Sequence, residues 1–142
     1  MYLYIGGACA GKRNAVKNRF EKVSWLSSYN GGLLSDWEGI WKDNSNLVLE
    51  GWENWILESV NAKSTDDIRQ HYRFILQKLL EEENKRKQAV VLIMLEIGKG
   101  VVPMDETNRK WRDISGWVQQ DAAQLATEVV QVWHGLEKTL KK

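Results

Sequence analysis

Met1-Tyr-Leu-Tyr-Ile-Gly-Gly-Ala-Cys-Ala-Gly-Lys-Arg-Asn14 opens the chain, and its reading decides the fold. Tyr2 to Ile5 are aromatic and branched, as suits a short buried strand. Gly6 and Gly7 follow at once, then Ala8, Cys9, Ala10, Gly11, Lys12 and Arg13, leading into a polar run with helical spacing. Gly6-x-x-x-x-Gly11-Lys12 has the spacing of a phosphate-binding loop. In such a loop glycines let successive backbone N–H groups turn toward phosphate oxygens, a helix N-terminus adds positive potential, and the lysine adds a full charge. The motif normally continues with Ser or Thr, whose hydroxyl ligates magnesium. Arg13 stands there instead; it cannot ligate a cation, though it can bind phosphate or carboxylate. Either the loop holds phosphate without the usual metal ligand, or it serves as scaffold.

Working outward, the 142 residues fit one domain, 1–142, with a substantial core. A net charge of +1 gives no footprint for nucleic acid or a membrane surface. The single cysteine, Cys9, excludes an internal disulfide and a multi-cysteine metal site, and with the loop favours a reducing cytoplasm. No stretch approaches a membrane span, and a first strand starting at the initiator residue is an expectation against a signal peptide. Eight tryptophans are many for this length, and belong in a core or a subunit interface.

The rest of the chain alternates strand and helix. Gly11–Lys22 reads as a helix and Val23–Leu26 as a strand. Trp37, Ile40 and Trp41 recur at helical spacing, which predicts a short amphipathic helix against the sheet. Leu47–Glu50 reads as a strand ending in a carboxylate, a position suited to holding magnesium or its water shell beside a phosphate loop. Trp52 begins a helix. Thr65–Lys87 is a long helix with Thr65 as cap, Asp66 and Asp67 in its first turn, basic residues in its last, and a solvated Glu81–Glu83 run. His71 on that helix reads as structural. Ala89–Leu95 is continuously apolar, the mark of a central strand covered on both faces. Glu96 follows it, then a glycine–lysine loop over Gly98–Pro103 at the edge where open parallel sheets bind ligands. Asp105–Ala126 is helical, Glu128–Trp133 is the last strand, ending at His134, and a basic tail follows. The expected architecture is α/β, a P-loop-type, mostly parallel sheet of about five strands flanked by helices.

Two blocks, Leu95-Glu96-Ile97-Gly98-Lys99-Gly100-Val101-Val102-Pro103 and Arg109-Lys110-Trp111-Arg112-Asp113-Ile114-Ser115-Gly116-Trp117-Val118-Gln119-Gln120, resemble the adenosylcobinamide kinase / adenosylcobinamide-phosphate guanylyltransferase family. That family shows Glu-Val-Gly-x-Gly-Ile-Val-Pro, then Arg-x-Phe-Arg-Asp-x-x-Gly-x-x-Asn-Gln, and opens on a Gly-Gly-Ala-Arg-Ser-Gly-Lys-Ser loop in the frame of Gly6–Lys12. The resemblance implies a P-loop fold, ATP or GTP with Mg²⁺, a corrinoid substrate and a homo-oligomer. It implies phosphorylation of the aminopropanol hydroxyl of adenosylcobinamide, then transfer of GMP through a histidine adduct. Lys12, Glu50, Glu96 and Arg112 would be catalytic, Gly6 to Arg13 would bind the nucleotide, and Glu50 would hold the metal. The departures are Arg13 for the loop serine, Glu50 for an aspartate, Gln119 for the asparagine, and no histidine between Leu26 and Asn46. The adduct step lacks its nucleophile, and a non-catalytic nucleotide- or corrinoid-binding relative is the competing reading.

Overall fold

The computed structural model describes residues 1–97 and 105–142. The glycine–lysine loop expected over Gly98–Pro103 lies outside the described residues. Six strands form one sheet: β1 (Tyr2–Gly6), β2 (Val23–Ser27), β3 (Asn46–Glu50), β4 (Val90–Leu95), β5 (Glu128–Trp133) and β6 (Leu136–Lys141). Their order is β2-β3-β4-β1-β5-β6; the first five are parallel and β6 is antiparallel to β5. The sheet is thus mostly parallel, as expected, with one more strand than expected. The stretch read as a basic tail is β6. Its pattern, with every residue exposed, carries no buried face for sequence periodicity to detect.

The helices are α1 (Lys12–Arg19), α2 (Trp37–Ile40), α3 (Trp52–Ser59), α4 (Thr65–Arg86) and α5 (Glu106–Leu125). Strand side chains alternate between two cores, as a period of two requires. Leu3, Leu47, Leu49, Leu92 and Val129 face one side, covered by α2 to α5. Tyr4, Val48, Val91, Ile93 and Val130 face the other, where Ala15 and Val16 of α1 cover them. β4 pairs with both β1 and β3, so its unbroken apolar run is that of a strand buried on both faces.

The tryptophans explain the dense side. Trp37, Trp41, Trp52 and Trp55 are buried in that core. Three of their indole N–H groups donate to backbone carbonyls: Trp41 to Ser45 (2.7 Å), Trp52 to Leu49 (3.1 Å) and Trp55 to Gly32 (2.9 Å). Burying a large ring without orphaning its donor is what makes such positions tolerable.

Two local expectations are corrected. Ser64, not Thr65, caps α4: its Oγ accepts from the Asp67 N–H at 3.2 Å, which places Asp66 and Asp67 in the first turn. The Glu81–Glu83 run is not wholly solvated, because Glu83 accepts from the Val90 N–H and from the Met1 amino group, both at 2.7 Å. A charge run read by composition hides a member turned inward by the following strand.

Candidate functional site

β1 ends at Gly6, where the neighbouring strand comes unusually close. A Cβ on Gly6 would lie 2.4 Å from the Val132 carbonyl oxygen, so only glycine fits without moving β5. The chain then turns through Gly7 to Gly11 and enters α1 at Lys12. The loop closes on itself through the Ala10 N–H to the Gly7 carbonyl (3.3 Å). It is braced from outside by the β5–β6 turn, whose Gly135 N–H donates to the Ala10 carbonyl at 2.8 Å. That turn is a two-residue hairpin, with positive φ at both His134 (50°) and Gly135 (74°). His134 therefore sits in a turn rather than ending the last strand, and its ring lies against Trp133 with centroids 4.7 Å apart.

Lys12 folds back over the loop. Its Nζ donates to the Gly6 carbonyl at 3.1 Å and to the Gly7 carbonyl at 2.6 Å. Burial pushes its pKa down, while the carboxylates of Glu53, Glu96 and Glu50 act in the opposite sense. Among the described residues, its hydrogen-bond partners are these two carbonyl oxygens.

Arg13 and Glu50 meet. The Arg13 Nη2 reaches Glu50 Oε1 at 2.5 Å and its Nε reaches Oε2 at 3.3 Å, while the Trp25 indole N–H donates to Oε1 at 2.8 Å. Glu50 is 3% exposed. Both oxygens of the carboxylate expected to hold magnesium are thus engaged by fixed donors. The residue after the lysine is itself a donor, so the pair does not fit a cation that needs oxygen ligands. Among the described residues no group of three or more His, Cys, Asp and Glu side chains could hold a metal ion.

Beside this pair lies a cavity of about 670 Å³, lined by Ala8 to Asn14 of the loop and first turn, by Tyr29, Glu50 and Glu53, and floored by Ile93 and Leu95 of β4. It sits at the C-terminal ends of the parallel strands, where such sheets bind ligands. Glu53 and Tyr29 were not legible as site residues from the sequence. The turn after β2 docks on the β3–α3 junction through the Ser28 Oγ–H to the Gly51 carbonyl (2.7 Å), which brings the Tyr29 hydroxyl onto Glu53 Oε2. Burial, then that bond to Glu53, raises the Tyr29 pKa. The other oxygen, Glu53 Oε1, is buried without a partner among the described residues. From α5, the Trp111 indole N–H donates to the Glu53 backbone carbonyl at 2.8 Å and fixes the helix turn that carries it.

The remaining expected residues are divided. Glu96 follows β4 on the other side of the loop, its N–H donating to the Gly6 carbonyl (2.9 Å) and its Oε1 accepting from Gln131 at 3.4 Å. There it faces a second cavity of about 490 Å³ with Gly7, Val132 and Trp133. Arg112 does not line the loop cavity and lies 3.4 Å from Asp113. His71 is exposed on α4, far along the chain from both.

A mostly parallel α/β sheet with a strand–glycine loop–helix unit at its ligand edge defines a phosphate-loop class of fold. Within that class, residues 33–140 match the family described as cobinamide kinase / cobinamide phosphate guanyltransferase, and the chain belongs to that family. The matched span begins after the Gly6–Lys12 loop, so the loop stands on its own geometry. The chain is also 36% identical over 66 residues to the bifunctional adenosylcobalamin biosynthesis protein CobU of Escherichia coli (strain K12). That match takes in 46% of this chain and 36% of the relative.

Proposed function

We propose that this chain is a nucleotide-dependent enzyme of cobinamide metabolism, transferring a phosphoryl group from ATP or GTP to the aminopropanol hydroxyl of adenosylcobinamide. The observation that carries this reading is the convergence of Lys12, Arg13 and Glu53 on one cavity at the strands' C-terminal edge. In it the loop N–H groups and the positive end of α1 receive the nucleotide phosphates. Lys12 leaves the Gly6 and Gly7 carbonyls to meet a phosphate oxygen. The Glu53 carboxylate takes the proton of the attacking hydroxyl as that hydroxyl's oxygen bonds to phosphorus and the bond to the leaving nucleoside diphosphate breaks. Glu96 and Arg112, the other two residues expected to be catalytic, do not line this cavity and carry no step in this reading. A cytoplasmic homo-oligomer is the setting this reading carries with it; no described helix is long and apolar enough to cross a membrane.

One specific observation favours a second reading, a relative that binds nucleotide or corrinoid without catalysis: Glu50, the expected metal ligand, is closed off by Arg13 and Trp25. Incubation with γ-labelled ATP or GTP and adenosylcobinamide separates the two. The kinase reading expects label in the corrinoid, and Glu53→Gln lowering kcat by about 10²–10⁴ with little change in KM. Nucleotide binding with no transfer supports the non-catalytic relative.

A further inference from the structure

We infer that the Arg13 guanidinium takes the place of a divalent cation at this loop, so that the cavity binds phosphate groups without metal. The inference rests on the loop being a phosphate site, as proposed above. In metal-dependent loops of this spacing, the residue after the lysine and an acidic residue at a nearby strand end hold the cation between them. Here those two positions are Arg13 and Glu50, and they touch each other directly through two N–H···O contacts. Trp25 adds a third donor to Glu50, so the carboxylate is fixed as a counter-ion for the arginine.

The guanidinium is not consumed by that pairing. It carries five N–H donors, and Nη1 donates to no described residue. The Arg13 side chain is half exposed and lines the cavity wall beside Lys12. Two cationic groups therefore face the space above the loop, one of them oriented by a buried carboxylate and an indole. The Arg13 side chain is half exposed, so its attraction for phosphate should weaken as salt is added.

Calorimetric titration of the whole chain with inorganic tripolyphosphate, in EDTA and then in magnesium chloride, tests this. The expected result is binding in EDTA no weaker than in magnesium. Arg13→Ser should lose on the order of tenfold to a hundredfold in EDTA, the range for a charged hydrogen bond. It should recover part of that with magnesium, because a hydroxyl then stands beside Glu50. Arg13→Gln, which keeps a donor for Glu50, should likewise lose binding in EDTA and covers the case in which Arg13→Ser fails to fold. Parent binding that vanishes in EDTA, returns with magnesium and is lost in Glu50→Gln overturns the inference and leaves the phosphate-loop reading standing. No binding in either buffer overturns both.

Discussion

Replacing Gly6 by Ala tests how tightly the loop is set into the sheet. The added Cβ would meet the Val132 carbonyl oxygen at 2.4 Å, and would stand 3.4 Å from both the Ala10 Cβ and the Lys12 Cγ. The first contact is with backbone, so β1 and β5 must part by several tenths of an ångström or more. Overpacking of this kind costs about 1–3 kcal/mol. Gly6 has no positive φ, so an unfolded-state gain of about 0.4–1 kcal/mol from losing glycine's freedom offsets part of it. The net loss should lower Tm by roughly 2–10 °C for a domain of this size. Gly116, inside α5 with open space where its Cβ would be, is the internal control, and Gly116→Ala should stabilise by about 0.5–1 kcal/mol. Thermal unfolding followed by circular dichroism measures both. A Gly6→Ala variant as stable as the parent, beside a destabilised Gly116→Ala, would refute the reasoning that close approach of β5 dictates glycine here.

Asp121 joins α4 to α5. Its buried carboxylate accepts from Arg69 (3.1 and 3.0 Å) and Arg73 (3.0 and 3.4 Å). Burial alone would raise its pKa, but the two guanidinium groups win and hold it below the ordinary carboxylate range. Its contribution is therefore present above the unfolded-state pKa and lost as pH falls through the depressed folded value. Asp121→Asn should cost roughly 1–3 kcal/mol near neutrality in denaturant melts, with the gap to the parent closing in acid; a gap constant with pH would speak against the pairing. No enzyme–GMP adduct should form on histidine: labelled GTP followed by gel separation should leave the protein unlabelled. An acid-labile label lost in His134→Ala would restore the guanylyltransferase step.

The fold was legible where burial imposes a period. β1, β3 and β4 have apolar residues on one or both faces, and each was placed within a residue or two of its ends. β6 was not legible, because its side chains are exposed and only pairing with β5 makes it a strand. The loop was readable from glycine and lysine spacing alone. Glu53 and Tyr29 were not, since their meeting depends on how the turn after β2 docks at the start of α3. The role of Arg13 was half readable: its chemistry showed that it could not ligate metal, but only the fold shows Glu50 within reach.

The most direct test of the phosphate-loop account is a backbone amide spectrum recorded as ATP is added, for the parent and for Lys12→Met. The account predicts the largest shifts at the amides of Gly7 to Arg13, joined by Tyr29 and Glu53 across the cavity, and a loss of affinity on the order of tenfold to a hundredfold in the variant. Shifts confined to Glu96, Gln131 and Trp133 around the second cavity, or equal affinity in the two proteins, would contradict it.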